Sequence, residues 1–237
     1  MKLPLPFLLT LGLLAFGGDL VHGQILIDWS AITPLSSDSD INTQYQLFDA
    51  VNTTEQGGTY TTTTVGTTTF NALTNLAGGT AGVDGTDGYI TIHADGGNYS
   101  GFGFSGGTAA YKAILDTASD ASAGVITIGS SLHPLVSGDT YQVQLLAYYP
   151  GPYAAKVDGV TPVSFPNYSG GSIIGTFVAN APTETIDYGG IDDNAGHNGF
   201  INDVIVEVVP EPGTWAMLFG GLGVLALVSR FRRVLQS

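Results

Sequence analysis

Tyr141-Gln142-Val143-Gln144-Leu145 alternates apolar and polar side chains, so Tyr141, Val143 and Leu145 share one face of a strand and the two glutamines the other. The same period of two runs through Asp203-Val204-Ile205-Val206-Glu207-Val208. There the three valines face one way and Asp203, Ile205 and Glu207 the other, which predicts a half-buried strand at a sheet edge or in an outer layer. Further strands are predicted at 25–29, 58–70, 89–94, 125–129 and 173–179, with the two quoted runs extending over 141–149 and 200–209. The stretch 59–69 is almost entirely threonine and reads as one β-branched strand. Val136-Ser137-Gly138-Asp139-Thr140 and Asp158-Gly159 supply turn residues between such runs. Only 108–117 has a helical pattern, with Tyr111, Ile114 and Leu115 at i, i+3 and i+4. Many short strands with one short helix predict an all-β fold, an antiparallel β-sandwich of jelly-roll type.

The chain between Gln24 and Val209 is long enough for one such domain. Its only basic residues are Lys112 and Lys156 against eighteen acids, a net charge of about −16. That field repels nucleic acid and anionic lipid, so nucleic-acid binding is excluded. There is no cysteine, which removes disulfides, thiolate chemistry and thiolate-bound zinc.

Both ends differ from this middle. Met1-Lys2, an apolar run over 3–16 and Val21-His22-Gly23 have the layout of a secretory signal peptide, which predicts residues 1–23 as that segment, cleaved before Gln24. At the other end Val209-Pro210-Glu211-Pro212-Gly213 leads into Trp215 to Val228, all apolar or glycine, and then Arg230, Arg232 and Arg233. A span needs roughly 20 residues. Thr214, Ser229 and snorkelling arginines bring the run close to that, predicting a transmembrane helix at about 214–231 with its basic end in the cytoplasm.

This Pro-Glu-Pro, apolar run and basic end resemble the tripartite PEP-CTERM sorting signal of Gram-negative bacteria. The resemblance implies a membrane-embedded exosortase as partner, with Val209, Pro210, Glu211, Pro212, Arg230, Arg232 and Arg233 as the sorting motif of a segment 209–233. The exported domain is then 24–208. A second resemblance rests on Gly138-Asp139-Thr140-Tyr141-Gln142-Val143-Gln144-Leu145 and Gly175-Thr176-Phe177-Val178-Ala179. Their order is similar to jelly-roll modules of secreted planctomycete and verrucomicrobial proteins, distantly similar to carbohydrate-binding sandwiches. Those modules often carry Asp-x-Arg after the strand that contains Val143-Gln144-Leu145, and Ala147-Tyr148-Tyr149-Pro150-Gly151 has neither residue.

Several local patterns invite chemistry. Gly103-Phe104-Ser105-Gly106-Gly107 fits a nucleophile elbow before the helix, with an aspartate and His197 following in hydrolase order. The strand-rich remainder lacks the alternating helices that such an enzyme uses. The overlapping Gly101-Phe102-Gly103-Phe104-Ser105-Gly106 fits a dinucleotide fingerprint without the βαβ unit around it. In a glycine-rich chain both patterns read first as a loop that pins Phe102 and Phe104 into the core.

Asp38-Ser39-Asp40-Ile41-Asn42, with Asp49 at position twelve, imitates a calcium loop but has Thr43 where the turn glycine belongs. The better calcium candidate is Asp192, Asp193 and Asn194, in a glycine-rich stretch that reads first as a hairpin loop without an ion. His93, His133 and His197 have no metal-ligand spacing. Tyr148, Tyr149 and Tyr153 crowd a strand end and loop, where rings stack on sugar faces or else turn inward as core.

The sequence thus predicts a non-catalytic exported protein that needs no cofactor except a candidate calcium. It would pass through an inner-membrane intermediate to the cell surface or extracellular matrix, with exopolysaccharide or another glycan as candidate partner. The alternatives are a carbohydrate-binding β-sandwich module using the tyrosines and, after it, a hydrolase using Ser105.

Overall fold

The computed structural model describes residues 26–53, 62–73, 83–96, 98–121, 123–148, 155–157, 170–190, 199–211 and 213. In chain order the elements are β1 (Asp28–Trp29), β2 (Thr33–Pro34), a 3-10 turn (Asp38–Asp40), β3 (Gln46–Asn52), β4 (Thr63–Val65) and β5 (Thr68–Ala72). Then follow β6 (Val83–Thr86), β7 (Ile90–Ala94), β8 (Asn98–Ser100), α1 (Ala109–Leu115), β9 (Thr117–Ala121) and β10 (Gly124–Ile128). The last are β11 (Thr140–Ala147), β12 (Ala155–Val157), β13 (Gly171–Val178), β14 (Glu184–Gly190), β15 (Gly199–Ile201) and β16 (Asp203–Val209). The predicted signal peptide and the apolar C-terminal run lie outside the described residues, and no helix among those described is long and apolar enough to cross a membrane.

The large sheet has the order β1-β13-β11-β16-β3-β5-β4, with β2 also on β13. All of its pairs are antiparallel except a two-residue parallel contact of β3 with β5. A second, antiparallel sheet runs β12-β14-β10-β7-β6, and a small one runs β15-β9-β8. Apolar alternation joins the first two. Val51, Tyr141, Val143, Leu145, Ile173, Phe177, Val204 and Val206 from the large sheet meet Ile90, Ile92, Ile126, Ile128, Ile186 and Tyr188 from the second in one buried core. This is the β-sandwich that the alternation predicted.

The predicted edge position of 203–208 is corrected. β16 lies in the middle of the large sheet, bonded on one side to β11 (Val143↔Val206) and on the other to β3 (Ile205↔Ala50). Its second face is also covered. Leu35, Ile41, Tyr111, Ile114 and Leu115 come down from the 35–41 segment and α1 onto Ala50, Phe70, Leu146 and Ile205. The polar members of that face become internal struts, and Gln144, expected to face solvent, is only 3% exposed. Its amide donates to Asp40 O and Ser172 Oγ, both at 2.6 Å, while its Oε1 accepts from Asn42 N at 2.8 Å. Buried amides of this kind hold their cover only when every polar atom finds a partner.

The predicted single strand at 58–70 is instead a hairpin within its described part. The run turns at Gly66-Thr67, where Gly66 has φ +59, and β4 pairs back on β5. A β-branched residue is strained at positive φ, so the one glycine in the threonine run decides where the strand ends.

Candidate functional site

The helix and its surroundings form the most elaborate polar arrangement in the described part. Thr108 caps α1, its hydroxyl accepting from Tyr111 N at 3.2 Å. Asp38 accepts from both Thr108 N and Thr108 Oγ1 at 2.7 Å. These bonds hold the Asp38 carboxyl below its ordinary range. For Asp40, burial pushes upward, but the backbone N–H groups of Ser36 and Ser37 and the Tyr111 hydroxyl outweigh it and hold this carboxyl low too. The first two acids of the imitation calcium loop are thus engaged as helix and turn caps, and Asp49 stands apart on β3.

Beneath the other end of α1, Asn52 Nδ2 donates to Ile114 O at 2.7 Å, and Asn202 Nδ2 donates to Leu115 O at 3.0 Å and Thr117 O at 2.6 Å. Two carboxamides therefore satisfy carbonyls at the helix end. Asp203 lies beside them, 0% exposed, with Oδ1 accepting from Asn52 at 2.8 Å and Oδ2 without a partner. Burial pushes this carboxyl well above its usual range, and burial likewise raises Glu207.

A pH dependence follows. Between the ordinary carboxylate value near 4 and the raised native values, the folded chain binds protons that the unfolded chain has released, so stability falls as pH rises. Asp38 and Asp40 act oppositely, and the stability they contribute is lost as pH falls below about 4 through their lowered native values. Tyr111, whose own ionisation is suppressed by burial and by Asp40, Asp203 and Asp38, brings no compensating cation to Asp203, and Lys112 points to solvent. Thermal unfolding in chelator should therefore give a maximum near pH 4–5 and a decline toward pH 8, flattened by Asp203→Asn. A melting temperature that climbs from pH 5 to 8 contradicts these assignments.

The glycine pattern around Ser105 has a packing explanation. Phe102 is buried against Phe200, and Phe104 stands edge-on to both Tyr111 and Tyr148. A Cβ on Gly106 would lie 2.2 Å from Ser36 O, and one on Gly107, at φ +69, would strike the Tyr111 ring. Ser105 is exposed in the irregular chain that joins β8 to the cap Thr108, and His197 lies outside the described residues.

Of the tyrosines, Tyr148 is half-buried, with its ring centroid 4.9 Å from that of Phe104 and its N–H donated to Asn202 Oδ1. Tyr149 and Tyr153 lie outside the described residues, as do Asp192, Asp193 and Asn194. His133 stacks on Tyr89 at 3.6 Å, and His93 is half-buried on β7. Among the described residues no three His, Asp or Glu gather as a metal site. An open cleft of about 430 Å³ lies on the outer face of the large sheet. Its lining mixes amides and hydroxyls, among them Asn42, Thr43, Gln44 and Gln144, with Asp40 and the apolar Ile41 and Ile174.

The sorting residues begin where the central strand ends. Val209 pairs with Thr140 as the last rung of β16, and Pro210 has no N–H to continue the ladder. Glu211 is exposed, while Pro212, Arg230, Arg232 and Arg233 lie outside the described residues. Comparison with protein families matches residues 208–233 to the PEP-CTERM protein-sorting motif. The chain is therefore that of an exported, membrane-transited protein sorted through its C-terminus, and its partner kind is an exosortase. No curated protein and no solved structure matches the chain.

Proposed function

We propose that this protein is a non-catalytic component of the cell surface or extracellular matrix, delivered there by its C-terminal sorting segment through an inner-membrane intermediate. The observation that carries this reading is the sorting motif at 208–233, fused without a linker to the central strand of the sandwich. The aspartates and asparagines beneath α1 have structural work to do, and the helix-side glycines around Ser105 serve packing. Both favour the non-catalytic role over a hydrolase. The acidic exported part resists association with anionic polymers unless cations bridge them, so a neutral or cation-loaded exopolysaccharide is the expected environment.

A carbohydrate-binding role is the second reading. The amide- and hydroxyl-lined cleft favours it, since such groups match sugar hydroxyls in donor and acceptor chemistry. Native cells separated into inner membrane, outer membrane and extracted exopolysaccharide test both readings. We expect the sandwich in the last two fractions and, for the second reading, retention on a glycan array that is lost in Tyr149→Ala/Tyr153→Ala or Asn42→Ala. Recovery only in the inner membrane overturns the surface role.

A further inference from the structure

Asp49 on β3 of the large sheet and Asp87 in the turn of the β6–β7 hairpin are joined through Asn71. Asp87 sits in the turn between β6 and β7, where its Oδ1 accepts from Tyr89 N at 2.9 Å and Ile90 N at 3.0 Å. That leaves its Oδ2 turned toward β5, and there Asn71 Nδ2 donates to Asp87 Oδ2 and to Asp49 Oδ1, both at 3.1 Å. Asp49 is only 6% exposed, on the buried stretch of β3 just past an irregularity in the ladder with β16. Its second oxygen, Oδ2, is buried and has no hydrogen-bond partner. Among the described residues, one carboxamide thus bridges the two carboxylates. A buried carboxylate oxygen without a donor is costly and uncommon in folded proteins.

We propose that Asp49, Asp87 and the Asn71 carboxamide together hold a calcium-sized divalent cation that ties the large sheet to the β6–β7 hairpin. The ligand set is all hard oxygen, as calcium requires and as zinc or copper does not favour. Rotating the Asn71 amide by a half-turn replaces its NH₂ between the two carboxylates with Oδ1. That gives three side-chain oxygens from three segments. Asn71 and Asp87 are half-exposed, so water reaches the site to fill the remaining coordination positions. Burial, together with the neighbouring Asp87 carboxyl, pushes Asp49 up to about 8 when no cation is present. With so few protein ligands the affinity belongs to the weak, extracellular class, and an exported protein meets calcium at concentrations that fill such sites.

The test uses the full chain in detergent at pH 7.5, with CaCl₂ as the probe and EGTA as the reference. Calorimetric titration should show a site of roughly 0.1–1 mM affinity, and 10 mM CaCl₂ should raise the melting temperature by about 4–8 °C. Asp49→Asn should melt in EGTA no lower than the unaltered chain, because a buried acid has been removed, and should lose the calcium response. Asp87→Asn, at a half-exposed turn, gives the same readout if Asp49→Asn does not fold. A chain with Asp192→Asn and Asp193→Asn should keep the response. The proposal is overturned if calcium moves neither heat nor melting temperature, the result for a pair that shares only a proton. It is equally overturned if the response survives in Asp49→Asn or Asp87→Asn, or disappears with Asp192 and Asp193.

Discussion

Asn202→Asp should lower the unfolding free energy by about 3–5 kcal/mol, more than Asn202→Ala at about 2–4 kcal/mol. Asn202 is fully buried in the one-residue break between β15 and β16. Its side chain donates to Leu115 O and Thr117 O and accepts from Tyr148 N, while its backbone N donates to Leu146 O at 2.9 Å and its carbonyl accepts from Thr53 N at 2.9 Å. A carboxylate has the same shape but cannot donate, so the carbonyls of Leu115 and Thr117 lose this partner. It also places a second buried acid beside Asp203, whose carboxyl burial already pushes well up, and that acid must either take up a proton or stay charged with no cation near it among the described residues. Alanine loses the same bonds without the charge, and this sets the order of the two effects. A seven-residue helix cannot persist alone in water. Loosening its end should therefore release Tyr111, Ile114 and Leu115 from the outer face of the large sheet. Urea unfolding measures the difference, and a loss under 1 kcal/mol for either variant would mean that these bonds do not hold the helix down.

The strands that face the inter-sheet core were legible because alternation is strict there. Tyr141, Val143 and Leu145 lie where the period of two puts them, and Ile90, Ile92, Ile126 and Ile128 repeat the rule in the second sheet. The helix was legible from Tyr111, Ile114 and Leu115, and the structure adds Thr108 as its cap. What alternation could not reveal is a cover on the other face. Gln144, Asp203 and Glu207 carry the pattern of a solvated surface, yet the 35–41 segment and α1 lie over them. Ser36 to Asn42 is polar enough to read as an exposed loop, and it packs by hydrogen bonds from Asp40 and Gln144 as much as by Leu35 and Ile41.

β3 and β14 escaped for a related reason. Gln46-Leu47-Phe48-Asp49-Ala50-Val51-Asn52 and Glu184-Thr185-Ile186-Asp187-Tyr188-Gly189-Gly190 contain residues of low β-propensity, and cross-strand partners override that preference. The Asp49, Asn71 and Asp87 cluster has no spacing motif at all. Its members are brought together by the parallel contact of β3 with β5 and by the packing of the two sheets. The only sequence hint was Asp49, noticed for a loop to which it does not belong. The sorting segment stands at the other extreme. Its information is linear, carried by Pro210-Glu211-Pro212, an apolar run and three arginines, so it was readable before any fold was known.

The largest effect is expected at that segment. Changing Pro210, Glu211 and Pro212 together to alanine leaves the sandwich core untouched, because Glu211 is exposed and β16 has made its last pair at Val209. It removes the feature that the sorting partner is expected to read, while the apolar run and Arg230, Arg232 and Arg233 stay in place to hold the chain at the membrane. The measurement is the intact mass and cell fraction of the protein from its native host, with and without this triple change. The unaltered protein should lack the residues after about Pro212 and be recovered outside the inner membrane, while the variant should keep its full C-terminus and remain membrane-bound. If both forms retain Arg230 to Ser237 in the inner membrane, the segment is a permanent anchor and delivery to the surface is contradicted.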